Sequence, residues 1–302
     1  MLRKALCDPH KRGISGRDSA IAAGTVLYLV EDDSLNPSGP RPDPELPQHE
    51  LLGLLREAID GDHFALSAEP IVALATGDPI KHELALLLPA QDGGLIPSSG
   101  FQPIAERFGL TAELDDLLVR RAAQVAREGD AVAIDIQCGS VSDPDLARRT
   151  EQALADAGAA PGLITFELTE ETLTTNAPAA TAFAQRMHDL GCSITGDEFG
   201  TGSAGFGYLK RLPLDCLKLD ACFIEGLSST PSDDQFVRAF VGLAEGLGLA
   251  TAADGVQDDV TRAVLEDAGV DQAQGVLFGS PVALTDGRLT SPSPARAARE
   301  GR

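Results

Sequence analysis

The chain has 302 residues, long enough for a single α/β barrel of roughly 250 residues. Its 46 acidic against 24 basic residues give a net charge of −22, which counts against a protein that grips a nucleic-acid polymer through its phosphates, because that affinity rests on basic contacts. Five scattered cysteines (Cys7, Cys138, Cys192, Cys216 and Cys222) contain no C-x-x-C pair, so neither a zinc site nor a disulfide framework is expected, and the setting reads as a reducing cytoplasm.

In chain order, residues 1–18 are basic and Ala20 to Val30 form an apolar run, AIAAGTVLYLV. That run is too short to span a bilayer, and the acids Glu31, Asp32 and Asp33 follow it at once. No small-residue cleavage pattern suggests a signal peptide. Residues 1–34 are therefore expected to be an arm, or the remnant of a preceding domain. Residues 35–48, LNPSGPRPDPELPQ, read as a proline-rich linker. The main domain is expected over 49–284, with 285–302 as a flexible tail rich in Ser, Pro, Arg and Ala.

A helix is predicted at 48–60, where Leu51, Leu54, Leu55, Ala58 and Ile59 make one apolar stripe. Further helices are predicted near 112–127, 144–157 and 234–247. Asp143 is the expected N-cap of the second of these, with Pro144 in its first turn. Between the helices lie apolar runs of period two at 82–88, 131–136, 163–168, 192–197, 214–220 and 249–254. Strand and helix alternating in this way predict parallel β/α units.

Within these runs the smaller or more polar face carries an ionisable residue each time: Glu83, Asp135, Glu167, Asp197, Lys218 and Asp254. A closed barrel gathers such groups around the mouth at the C-terminal ends of its strands. Carboxylates converging there repel one another, so protons or cations must neutralise them. An all-oxygen set without a His or Cys cluster favours Mg²⁺ or Mn²⁺. Two such ions are a device for activating water against a phosphodiester. One stretch is open to several readings. The glycines of TGDEFGTG (195–202) suit a phosphate cradle, while its acids suit a metal.

Several ordered motifs then decide a resemblance. Glu69-Pro70-Ile71-Val72, Glu83-Leu84-Ala85-Leu86-Leu87, Glu167-Leu168-Thr169-Glu170 and Asp197-Glu198-Phe199-Gly200-Thr201-Gly202 are followed by YLKRLPLDCLKLD (208–220). Ala253-Asp254-Gly255-Val256-Gln257 and Gln274-Gly275 complete the series. Over roughly residues 62–284 the chain resembles the EAL domain of bacterial cyclic-di-GMP phosphodiesterases. Its TGDEF is one substitution from the GGDEF signature of the enzymes that make cyclic-di-GMP, but the downstream context is that of the EAL family.

The resemblance implies a TIM-like (β/α)8 barrel that hydrolyses cyclic-di-GMP to pGpG with two Mg²⁺ or Mn²⁺ ions. It implies Glu83, Asp135, Glu167, Asp197, Glu198 and Asp254 as metal ligands, and Lys218 as the group that orients or deprotonates the attacking water. Glu170 would brace the loop from Phe199 to Tyr208. Glu69, Leu87, Gln257 and Gln274 would lie on the substrate side, and a homodimer or a protein signalling partner is compatible with the family.

This chain departs from the family pattern at that site. Leu87 stands for the signature arginine, Glu69 for a glutamine, Asp135 for an asparagine, Glu198 for an aspartate, Asp254 for a glutamate and Gln257 for another acid. Leu87 removes a bidentate phosphate donor, and Glu69 places negative charge where an anion should lie. The departures favour a degenerate module that binds the nucleotide or a partner with little or no turnover. The retained carboxylates and Lys218 keep an active phosphodiesterase as the alternative.

Overall fold

The structure, a computed structural model, describes residues 46–200, 206–284 and Leu289. The expected arm, most of the linker and most of the tail lie outside the described residues.

The described chain opens with α1 (Gln48–Gly61), which buries Leu51, Leu55 and Ala58 along the predicted stripe. Strand β1 (Ala65–Ala73) pairs antiparallel with β2 (Pro79–Pro89), and β3 (Leu95–Pro97) adds to the end of β2. Helices α2 (Ser98–Phe108) and α3 (Thr111–Arg127) lead into β4 (Val132–Asp135). The single turn α4 (Cys138–Val141) and α5 (Leu146–Ala157) precede β5 (Ile164–Thr169). Next come α6 (Glu170–Thr175), α7 (Ala177–Asp189), β6 (Ser193–Phe199) and β7 (Cys216–Leu219). Helix α8 (Pro231–Leu247), β8 (Ala250–Ala253), α9 (Asp259–Ala268), β9 (Gln272–Ala273) and β10 (Val282–Ala283) follow.

Among the described residues, eight strands close a barrel in the order β1, β2, β4, β5, β6, β7, β8, β9 and back to β1. The predicted parallel arrangement holds from β2 onward. β1, which precedes the first predicted run, runs antiparallel to both β2 and β9. The cause is the short turn at 74–78, because a parallel pair needs a crossover of a dozen residues or more. One correction concerns the helix predicted from 144. Asp145, not Asp143, takes its N-cap position, and Asp143 Oδ1 instead accepts the Asp145 N–H in the preceding turn at 2.9 Å.

The two faces of each strand have separate destinations. Val132, Ile134, Ile164, Phe166, Leu168, Ile194, Leu217 and Leu219 join one apolar core with the surrounding helices. Each such side chain contributes about 1.5–3 kcal/mol by leaving water. Glu167, Thr195, Cys216, Lys218 and Ala252 instead line the barrel axis. The small and polar face is therefore the inner one, and it can hold charge because the large apolar face alone supplies the packing.

Candidate metal centre

Strand register sets the site. Glu83 of β2 lies beside Ala133 of β4, and Asp135 lies beside Glu167 of β5. Thr169 stands next to Asp197 of β6, and Lys218 of β7 next to Ala252 of β8. Opposite Lys218, β6 carries an extra residue: Gly196 pairs with Leu217 and Phe199 with Leu219, leaving Asp197 and Glu198 against one partner. This bulge puts two carboxylates in succession at the strand end. It also requires a left-handed backbone at Glu198, with φ 51°, which costs a non-glycine residue about 1–2 kcal/mol.

Lys218 is almost fully buried, and its Nζ donates to Glu83 Oε2 at 2.7 Å and to Glu167 Oε2 at 2.8 Å. Asp197 Oδ2 is 3.5 Å away. Burial opposes the ammonium charge, but Asp197, Glu167, Glu83 and Asp254 overcome it and hold Lys218 well above the ordinary lysine value. Burial would likewise raise Glu83, yet the charge and hydrogen bond of Lys218 keep it below the usual carboxylate range. Asp197 is pushed up to about 8 by burial and by the Glu167 and Glu83 charges, against the pull of Lys218. Asp135 is raised well above its ordinary value by burial first and then by Glu83, Asp197 and Glu167. One ammonium cannot balance so many carboxylates.

Oxygens of Asp135, Glu167 and Asp197 all lie within 4.8 Å of one another. Asp135 Oδ1 and Glu167 Oε1 are buried without a hydrogen-bond partner. A small hard cation with oxygen ligands at about 2.0–2.1 Å spans such a group, and this donor set fits Mg²⁺ or Mn²⁺. Among the described residues, no other three carboxylates, histidines or cysteines form a group of this kind. Glu83 is turned to Lys218. Glu198 donates its N–H to Asp197 Oδ1 at 2.6 Å, and Asp254 Oδ1 accepts the Gly255 N–H at 2.7 Å. Burial raises Asp254, and its charge reaches Lys218 and Glu83 without joining the three-carboxylate group. Three of the six expected ligands thus come together.

Glu170 is the first residue of α6, a helix capped by Thr169 Oγ1 accepting the Thr172 N–H. Its buried Oε2 accepts the Gly200 N–H at 3.0 Å. At the other end of the expected loop, burial and then the Glu170 charge raise the Tyr208 phenol. Residues 201–205 lie outside the described residues. Gly200 has φ 94°, and a Cβ there would meet the Phe223 and Phe236 rings at 2.9 Å. Only glycine suits that position.

On the expected substrate side, Glu69 of β1 sits directly opposite Glu83. Burial, offset by Gln274 and reinforced by Glu83 and Asp254, raises it to about 7. Gln274 is buried, and its Oε1 has no partner. Leu87 is half-buried at the outer end of β2, opposite Pro97 of β3. Gln257 is exposed, beyond the end of β8.

Comparison with protein families matches residues 54–281 to the EAL domain. The chain belongs to the EAL domain family. The cyclic di-GMP phosphodiesterase NbdA of Pseudomonas aeruginosa is 33% identical over 241 residues, covering 76% of this chain and 30% of its own length. PdeF of Escherichia coli, also a cyclic di-GMP phosphodiesterase, is 31% identical over 242 residues, 78% of this chain and 32% of its own. The chain therefore spans about a third of the length of these curated relatives. Among solved structures, the PaMucR phosphodiesterase in its c-di-GMP complex superposes with a TM-score of 0.73 at 30% identity, covering 77% of this chain and 97% of that one. The Xanthomonas citri FimX EAL domain in complex with c-di-GMP has a TM-score of 0.72 at 26% identity, with 78% and 95% covered.

Close to the end of β4 lies a buried acid that sequence reasoning did not single out. Asp115 of α3 is 3% exposed, and its Oδ2 accepts the Gln137 N–H at 2.9 Å. The Gln137 side chain in turn pairs with Gln102 of α2. The available signal was an aspartate at 115 in line with Thr111, Leu118 and Ala122 on the buried stripe of α3. Among the described residues, no helix of the EAL domain is long and apolar enough to cross a membrane.

Proposed function

We propose that this EAL domain is a cyclic-di-GMP signalling module of the cytoplasm that holds a single divalent cation and recognises the nucleotide with little or no turnover. The observation that carries this reading is the split of the acidic residues. Asp135, Glu167 and Asp197 converge, whereas Glu198 and Asp254 stand outside their group. A two-metal hydrolysis needs ions about 3.5–4 Å apart to stabilise the attacking and leaving oxygens together, and among the described residues no second group of three such ligands accompanies the first. Leu87 adds to the argument, because it has no group that donates to a phosphate. Asp135, Glu167 and Asp197 would hold Mg²⁺ or Mn²⁺, which supplies Lewis-acid stabilisation of a phosphodiester oxygen. A homodimer or a protein partner would read out the bound state.

A second reading, hydrolysis of cyclic-di-GMP to pGpG, is favoured by Lys218. Pinned between Glu83 and Glu167, it is held in the charged form, so it can orient a water or donate a proton but has no lone pair with which to accept one. The deciding experiment measures equilibrium binding and turnover of cyclic-di-GMP with Mg²⁺ and with Mn²⁺, using Glu83→Ala as the control. Binding without pGpG formation is expected. Turnover that Glu83→Ala abolishes would overturn the low-turnover reading in favour of the phosphodiesterase.

A further inference from the structure

The backbone leaving β4 carries a proposed cation ligand, Asp135, as its last strand residue. Just beyond it, the Ile136 N–H donates to the Glu167 carbonyl at 3.0 Å, still within the sheet. The next N–H, that of Gln137, leaves the sheet and donates to Asp115 Oδ2 at 2.9 Å. Asp115 belongs to α3, outside the barrel wall, and is 3% exposed. Beside this contact lies a small cavity of about 50 Å³ bordered by Asp115, Asp135, Gln102, Gln137, Phe101 and Leu84. The strand end is therefore not fully filled on this side, and the hydrogen bond to Asp115 is its backbone tie to α3.

We propose that Asp115 is a positioning residue for the cation site: its carboxylate, acting through the Gln137 backbone, holds the end of β4 and thereby aims Asp135 at Glu167 and Asp197. This rests on the reading of Asp135, Glu167 and Asp197 as cation ligands. Partners of metal ligands commonly matter for affinity because they fix ligand orientation before the ion arrives. Asp115 acts one step further out, on the backbone that carries the ligand. Without it the Gln137 N–H is left unpaired, and the β4 end loses its backbone tie to α3.

The test is Mn²⁺ affinity of the full chain, measured by calorimetry and by the electron paramagnetic resonance signal of free Mn²⁺. Asp115→Leu keeps a branched side chain of similar size and removes the acceptor, and it should weaken Mn²⁺ binding about tenfold or more. Asp115→Asn keeps an oxygen that can accept the same N–H, and its affinity should stay within about threefold of the unaltered chain. Leu154→Ala, in the core contributed by α5, is the stability control; it should lower Tm and leave Mn²⁺ affinity unchanged. Wild-type affinity in Asp115→Leu, or an equal loss in Leu154→Ala, overturns the positioning role and leaves the cation site standing. No Mn²⁺ binding by the unaltered chain removes both.

A measurement on the unaltered chain covers the case in which Asp115→Leu fails to fold. Adding Mg²⁺ should shift the Gln137 backbone amide resonance and slow its hydrogen exchange. An amide that is unprotected and does not respond overturns the proposal.

Discussion

Replacing Lys218 by methionine removes the ammonium hydrogen-bonded to Glu83 and Glu167 while keeping much of the side-chain bulk. The three carboxylate contacts at 2.7, 2.8 and 3.5 Å then become mutual repulsion among buried acids. Breaking a buried ion pair by removing one partner costs about 3–5 kcal/mol. Proton uptake limits the loss. A carboxylate with an unfolded value near 4.5 can be kept neutral in the folded state at pH 7.5 for about 1.4 kcal/mol per pH unit, or roughly 4 kcal/mol. The expected destabilisation in EDTA at pH 7.5 is thus about 3–5 kcal/mol. At pH 5.5 it should shrink by about 2 kcal/mol or more, because the proton taken up on folding is two pH units easier to supply. Urea unfolding of both proteins at the two pH values gives the difference. A loss below about 1 kcal/mol at pH 7.5, or no recovery at pH 5.5, would show that Lys218 does not hold these carboxylates together.

The other expectations use the same site. In EDTA, Asp197 at about 8 and Asp115 and Glu69 at about 7 are raised carboxylates, so folding takes up protons between their unfolded and folded values. Each lowers stability by up to about 1.4 kcal/mol per unit as pH rises through that window, from about 4 to 7 or 8. Glu83, held low, loses its contribution only as pH falls below the ordinary carboxylate range. Urea midpoints should therefore be higher at pH 5.5 than at 7.5 in EDTA, and Mg²⁺ should reduce the difference because it binds the ionised forms; a higher midpoint at pH 7.5 in EDTA would contradict the assignment. Leu87→Arg supplies a charged donor at the mouth, worth about 1.5–3 kcal/mol, so cyclic-di-GMP affinity by calorimetry should rise tenfold or more on the order of that energy; unchanged affinity argues against a phosphate near Leu87. Gly200→Ala forces a Cβ into the Phe223 and Phe236 rings at φ 94° and should cost about 2 kcal/mol or more, which an unaltered thermal transition would disprove.

Much of the site was legible because strand periodicity is two and the barrel interior is the face without large apolar residues. Glu83, Asp135, Glu167, Asp197 and Lys218 all alternate with core residues such as Ile134, Phe166 and Leu217. That pattern survives any detail of how the strands are connected. The antiparallel first strand was not legible, because Ala65–Ala73 lies outside the period-two runs and its direction depends on the five-residue turn after it. Asp115 was missed for a related reason: a helix stripe shows that a residue is buried but not which backbone group it meets.

The amino-acid order by itself determined the β/α alternation, the polar inner face and the set of ionisable residues that could meet there, since each follows from local periodicity. Only the tertiary structure decided which of them do meet. Whether Asp135, Glu167 and Asp197 come within 4.8 Å while Glu198 and Asp254 stay apart depends on ladder register, the bulge at 197–198 and the hydrogen bond from Asp115. These are interactions between segments distant in the chain, and a one-residue shift in register moves a side chain to the opposite face.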